Sequence, residues 1–167
     1  NAFTLTTVDE NSFPNTRVLL LKEVSDEGFI FFTNYNSHKG VEMEVNPKVA
    51  LNFFWPSLER QVRVQGVVEK VLEAVSDAYF QSRPYKSRVG AWASEQSSTL
   101  ESRASLEERY LQFSKKYPEH VPRPPYWGGY LVKPQKIEFW QGRSSRLHDR
   151  FSFVFSEGKW TSNRLAP

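Results

Sequence analysis

Several arginine-centred groups in this sequence have types and spacings suited to holding an anion. Arg146, His148 and Arg150 fall at period two, so an extended segment would turn all three to one face, beside a strand containing Trp140. A planar guanidinium offers two parallel donors that match phosphate oxygens, and three cationic or titratable groups on one face favour anion binding over solvated surface charge. Tyr79, Arg83 and Ser87 are spaced by four and would align on a continuous helix. Pro84 opposes that continuity, because the residue before proline avoids helical geometry. Spacing alone leaves this cluster balanced between an anion clamp and an ordinary helix end. Arg17 and Lys22 flank the most apolar segment, and Arg60 and Arg63 lie in an alternating one. Gln96-Ser97-Ser98, after a run of small residues, reads by itself as a helix cap rather than a ring or phosphate contact.

Other chemistries are excluded or disfavoured. The chain has no cysteine, which removes disulfides, thiolate nucleophiles and cysteine-ligated metals. His38, His120 and His148 lie far apart, so no metal site is expected. There is no phosphate-binding glycine loop, since Gly128-Gly129 is isolated, and no nucleophile elbow. Asp149 adjoins His148, but neighbours on a strand point to opposite faces. Among 167 residues, Lys and Arg exceed Asp and Glu by 22 to 19, too small an excess to predict nucleic-acid binding. No apolar run approaches the roughly 20 residues of a membrane span. A soluble, cytoplasmic protein is the expectation, with no membrane or nucleic-acid partner. The start at Asn1, running straight into a strand-like segment, leads to the expectation that an N-terminal segment of the full-length protein is missing.

The elements that must carry these residues read as mainly β. Strands are expected at Phe3 to Val8, Thr16 to Val24, Phe29 to Thr33, Val49 to Trp55, Gln61 to Val71, Trp127 to Val132, Lys136 to Trp140 and Leu147 to Phe155. The run Val18-Leu19-Leu20-Leu21 suggests a strand covered on both faces, and Asp26-Glu27-Gly28 suggests a hairpin turn. Helices are expected at Ser37 to Val45 and Leu72 to Gln81, with a second opened by Pro84 and a polar one from Ser98-Thr99 to Tyr117. Pro118 to Pro125 reads as a connection crossing a surface. Such a pattern in one domain spanning 1–167 suggests a β-barrel with helical insertions.

The blocks Arg17-Val-Leu-Leu-Leu-Lys22, Phe31-Phe-Thr-Asn34, Ser37-His-Lys-Gly40, Arg60-Gln-Val-Arg-Val64 and Tyr79-Phe-Gln-Ser-Arg-Pro84 resemble the pyridoxine/pyridoxamine 5′-phosphate oxidase family. So do Gln96-Ser-Ser98, Trp127-Gly-Gly129, Glu138-Phe-Trp-Gln-Gly142, Arg146-Leu-His-Asp-Arg150 and Arg164-Leu-Ala-Pro167, all in the family's order. The resemblance implies a split-barrel FMN-binding fold and an obligate homodimer with active sites at the subunit interface. It implies oxidation of pyridoxine 5′-phosphate or pyridoxamine 5′-phosphate to pyridoxal 5′-phosphate, with electrons passing to FMN and then to oxygen, releasing hydrogen peroxide.

Carried over by position, the resemblance assigns FMN binding to Arg17, Val18, Leu19, Leu20, Leu21, Lys22, Phe32, Thr33, His38, Lys39, Gln61, Gln96, Ser97, Trp140 and Arg150. Substrate binding would fall to Lys22, Tyr79, Arg83, Ser87, Arg146, Leu147 and His148, with Arg146 and His148 catalytic. His38 stands where the family usually has Arg or Lys, which implies a weaker or pH-dependent phosphate contact. Phe32 replaces a frequent Tyr, keeping a backbone contact and losing a hydroxyl. Competing readings are another FMN-dependent split-barrel reductase, a catalytically silent flavin-binding homologue, and a barrel binding single-stranded nucleic acid through aromatic platforms.

Overall fold

The computed structural model describes residues 1–167. Its contacts divide the chain into two compact units. The first comprises Asn1–Phe31, Glu42–Glu69 and Leu131–Pro167; the second comprises Phe32–Val41 and Lys70–Tyr130.

The first unit is built on a sheet. Alternating residues form β1 (Ala2–Val8), which pairs antiparallel with β2 (Pro14–Leu20) and, on its other side, with β5 (Lys48–Trp55). Short β3 (Glu23–Ser25) and β4 (Gly28–Asn34) form the hairpin expected at Asp26-Glu27-Gly28. The strictly alternating segment becomes β6 (Arg60–Lys70), paired with β5. A 15-residue β7 (Trp127–Gln141) is followed by β8 (Asp149–Ser156) and β9 (Lys159–Arg164). The strand order is β2-β1-β5-β6-β7-β4-β3, with β8 on β7 and β9 on β8. Phe3, Leu5, Phe31, Leu51, Phe53 and Val64 are buried between these strands. Phe3 packs on Phe31 and Phe53 at centroid distances of 5.8 and 5.2 Å. Full burial of each such side chain contributes about 1.5–3 kcal/mol.

The second unit is mostly helical. Helix α2 (Glu73–Ser82) ends at Arg83, whose extended backbone is what a following proline demands, and Pro84 leads into α3 (Tyr85–Ala93). The polar helix α4 is Arg103–Lys116, capped by a reciprocal Ser102–Ser105 box. Its core is Phe80, Val89, Val121 and Trp127, with Phe32, Tyr79, Tyr85, Trp92, Tyr110, Phe113 and Tyr117 packed around it. Helix α1 (His38–Val45) links the two units along the chain.

Several expectations are corrected. The segment from Thr16 to Val24 is two strands, and its apolar run is not covered on both faces: Val18 and Leu20 are 68% and 49% exposed. Both lie on the exposed face of β2, which alternates residue by residue with its partly buried one. Trp127 to Val132 and Lys136 to Trp140 are one strand. Pro134 precedes the β8 ladder, which begins at Lys136, so its missing N–H removes no bond there. The proline-rich 118–125 segment does not simply cross a surface, since Val121 and Pro124 are fully buried. Helix α4 starts later than expected, with Ser102 rather than Ser98 as its cap. Lys159-Trp160 open a further strand, β9, for which no element was expected.

Candidate functional site

In the second unit an aromatic stack carries a guanidinium. Phe32 lies on Tyr79 at 3.9 Å and 15°, and Trp127 lies nearly parallel to both, 5.7 Å from Phe32 and 6.2 Å from Tyr79. Arg83 sits over the Trp127 ring at 4.6 Å and near Phe80 at 5.5 Å, an arrangement that attracts a cation to the ring face. One terminal nitrogen of Arg83, Nη1, is buried with no hydrogen-bond partner, as is Nε of Arg88. Burial holds the Arg83 pKa below its ordinary value, with the neighbouring Tyr79 opposing that shift. A desolvated guanidinium with an orphaned donor suits an anionic ligand, because leaving such a donor unmade costs about 1–3 kcal/mol. Tyr79, inside α2, and Arg83, at its C-terminal cap, therefore meet on Trp127, and the break at Pro84 separates both from Ser87. Ser87 stands in the first turn of α3, its N–H donating to the Pro84 carbonyl at 2.9 Å.

The same unit holds the Ser37-His38-Lys39-Gly40 turn. Asn34 accepts from the Asn36 N–H at 2.8 Å, Ser37 Oγ donates to the Asn34 carbonyl at 2.7 Å, and Lys39 Nζ donates to Ser37 Oγ at 3.0 Å. Lys39 is only 5% exposed, whereas His38 points outward. Gly40 permits the close turn, since a Cβ there would stand 2.0 Å from the Tyr35 carbonyl oxygen. Gly40→Ala is expected to cost about 1–3 kcal/mol and to lower Tm by several degrees in a thermal melt. An unchanged Tm would show that the turn can relax. Thr33 Oγ1 and Gln96 Oε1 meet at 3.5 Å, and Ser97 adopts a left-handed backbone with φ +76°.

The first unit carries the remaining predicted residues. Arg17 Nη1 donates to Thr7 Oγ1 and to the Asn15 carbonyl, and Nη2 pairs with Glu42 at 3.2 Å. The other Glu42 oxygen accepts from Asn15 Nδ2 at 2.7 Å. Lys22 is exposed, and its backbone N–H donates to the Ile30 carbonyl. Gln61 Nε2 donates to Asn52 Oδ1 at 2.7 Å. Gln61 and Trp140 line a cavity of about 560 Å³ together with Trp55, Phe139, Arg143 and Phe151. That size and aromatic lining suit a flat ring with a few polar groups.

Arg146, His148 and Arg150 do not form a period-two row, because β8 begins only at Asp149. Ser145 and Arg146 have φ of +56° and +61°, inside a 3-10 turn at Ser144–Arg146. Two consecutive left-handed residues without glycine cost about 1–2 kcal/mol each. Arg146 and Leu147 are exposed. His148 lies 4.8 Å from the Trp140 ring, and its Nδ1 accepts from the Arg143 backbone N–H at 3.1 Å. That bond places the proton of the neutral imidazole on Nε2, so His148 presents a donor. Arg143 and Arg164 both pair with Asp149, at 2.8 and 3.1 Å, and the Arg143 bond chiefly holds its carboxyl below the usual range. Because the folded state lowers this pKa, the clamp's contribution persists through mild acid and disappears only as pH falls through the depressed value. Arg150 is paired with Trp140 across β7 and β8, and bonds Glu138 at 2.8–2.9 Å.

Sequence reasoning did not single out Trp127, Glu42 or Glu138 as working residues. The first is the platform beneath Arg83, and the other two hold Arg17 and Arg150. The available signal was Glu138 standing two residues before Trp140, which puts both on one face of a strand.

Comparison with known proteins places this architecture among split-barrel, FMN-binding folds. A pyridoxamine 5′-phosphate oxidase-related, FMN binding protein from Nostoc punctiforme superimposes with a TM-score of 0.81 at 17% identity, covering 99% of this chain and 88% of that one. PhzG from Burkholderia lata 383, solved with tetrahydrophenazine-1-carboxylic acid, superimposes with a TM-score of 0.95 at 27% identity, covering 99% and 82%. Residues 1–117 match the family described as pyridoxamine 5′-phosphate oxidase. Residues 127–167 match the pyridoxine 5′-phosphate oxidase C-terminal dimerisation region. The chain is 57% identical over 168 residues to pyridoxine/pyridoxamine 5′-phosphate oxidase from Ralstonia pickettii, covering all of this chain and 79% of that protein. It is 55% identical over 166 residues to the protein of that name from Neisseria gonorrhoeae, covering 99% and 79%. The chain belongs to the pyridoxamine 5′-phosphate oxidase family. No helix is long and apolar enough to cross a membrane.

Proposed function

We propose that this chain is an FMN-dependent oxidase that acts as a homodimer on pyridoxine 5′-phosphate and pyridoxamine 5′-phosphate. The product is pyridoxal 5′-phosphate, and oxygen is the final acceptor, leaving as hydrogen peroxide. The observation that carries this reading is the desolvated Arg83 guanidinium, seated on Trp127 beside Tyr79 with a donor left unmade. This is what a phosphate anchor requires. Identity of 57% to a named oxidase, against 27% to PhzG, favours the vitamin ester over a phenazine substrate.

The residues fit FMN. Arg17 to Lys22, Phe32, Thr33, Lys39, Gln61, Gln96, Ser97, Trp140 and Arg150 would hold it, with exposed His38 adding a further contact. When bound, FMN supplies the two-electron acceptor that oxygen then regenerates. The chain's own part is orientation. Tyr79, Arg83, Ser87 and Lys22 fix the substrate phosphate, while Arg146, Leu147 and His148 address the pyridine ring. His148, donating from Nε2, stabilises the substrate's oxygen or nitrogen, and the Arg146 charge favours loss of its proton.

The test is an absorbance spectrum of the purified protein, followed by oxygen uptake with pyridoxine phosphate. A yellow protein that consumes oxygen and forms peroxide is expected. A preparation that stays colourless at excess FMN would overturn the flavin assignment, and a yellow protein without oxygen uptake would identify a silent homologue.

A further inference from the structure

We propose that Glu138 is a positioning residue for the flavin, acting through Arg150; this rests on the reading of Arg150 as an FMN contact. Glu138 is an acid in an unusual place. It is only 4% exposed, on a strand whose neighbours at Phe139 and Trp140 are more open. Burial of a carboxylate is costly unless it is paired and hydrogen-bonded, and here both oxygens face guanidinium groups. Oε1 accepts from Arg150 Nε at 2.9 Å and lies 2.8 Å from Nη2, while Oε2 is 3.7 Å from Arg63 Nη1.

The register explains the contact. Glu138 lies opposite Ser152 and Trp140 opposite Arg150, so Arg150 is the diagonal neighbour of Glu138 on the same face. The third side of the guanidinium is also fixed, because Nη1 donates to the Ala166 carbonyl at 2.8 Å, and the Leu165 N–H donates to the Arg150 carbonyl at 2.9 Å. Three of the five guanidinium N–H groups are thereby used, leaving one on each terminal nitrogen. Two arginines share one carboxylate, so the group retains a net positive charge. The arrangement holds a planar donor pair in one orientation beside Trp140 without neutralising it.

A buried ion pair by itself is weak grounds for stability, since well-packed apolar substitutes often do as well. Orientation is the property that the geometry explains. Outer partners that orient metal ligands commonly change affinity by about 10- to 100-fold when lost, and a loss of that order is expected for this braced guanidinium.

A double-mutant cycle read by FMN affinity tests this. Protein stripped of flavin is titrated with FMN, following quenching of flavin fluorescence, for wild type, Glu138→Gln, Arg150→Met and the double variant. Glu138→Gln keeps the shape and removes the charge, and is expected to weaken FMN about 10-fold or more. Arg150→Met is expected to weaken it at least as much, and the double variant no further. Losses that multiply in the double variant, or wild-type affinity in Glu138→Gln beside a weakened Arg150→Met, would overturn the positioning role while leaving Arg150 a flavin contact. Wild-type affinity in Arg150→Met would instead remove the Arg150 assignment, and the proposal with it. Should Glu138→Gln fail to fold, Glu138→Asp, which keeps the charge one methylene short, takes its place in the cycle with the same expected coupling.

Discussion

Replacing Arg146 by glutamine is expected to lower turnover at least 100-fold while FMN remains bound and Tm stays within a degree or two. The expectation follows from how the residue is held. Its guanidinium is exposed and makes no hydrogen bond or ion pair within the chain, so its removal breaks no fold contact. Its backbone nevertheless occupies the left-handed region directly after Ser145 in the same state, which stores strain in an otherwise clamped loop. The clamp is explicit: Gly142 N–H donates to the Glu59 carbonyl at 2.7 Å, Arg143 binds both His148 and Asp149, and Arg164 closes on Asp149. An exposed side chain without internal partners, carried on a strained and firmly tethered loop, is placed for something outside the fold. Loss of one preorganised donor at a reacting centre commonly costs 10²–10³ in kcat, about 3–4 kcal/mol of barrier. The measurement is steady-state oxygen uptake together with the flavin content of the purified variant. Parallel loss of flavin and turnover would move Arg146 from substrate to cofactor.

Arg83→Met is expected to raise KM for pyridoxine phosphate about 100-fold, on the order of 3 kcal/mol, with FMN affinity unchanged. Its effect on stability should run the other way from an ordinary core substitution. The guanidinium is desolvated and one terminal nitrogen is unpaired. Its attraction to the Trp127 face contributes about 0.5–2 kcal/mol, against about 1–3 kcal/mol for the unsatisfied donor. Methionine fills similar space and keeps a favourable contact with the ring. Tm should therefore hold or rise in the absence of substrate. Activity on unphosphorylated pyridoxine should be insensitive to the change, because that molecule has no phosphate to anchor. A Tm drop of more than about 4 °C, or equal losses on both substrates, would assign Arg83 a structural role instead.

Much of this was legible in the residues themselves. Alternation placed β1 and β6, because a half-buried strand must repeat every two residues. Pro84 announced the break between α2 and α3, since its ring forbids helical geometry at Arg83. The family blocks carried most of the candidate site. Other features could not be read locally. The apolar run at Val18 to Leu21 looks the same whether a second layer covers it or not, and Pro134 looks like a break until the ladder beginning at Lys136 is known.

Local sequence thus determined which segments are strands and helices and which residue types stand ready for an anion, because period, proline and donor chemistry act over a few residues. Only tertiary structure decided which of those groups are held and which are left open. Arg17 and Arg150 are braced by Glu42 and Glu138, Arg83 is left short of a partner on Trp127, and Arg146 is turned outward on a strained loop. The physical reason is that desolvation and hydrogen-bond satisfaction depend on partners brought from distant parts of the chain, and no spacing within one segment encodes them.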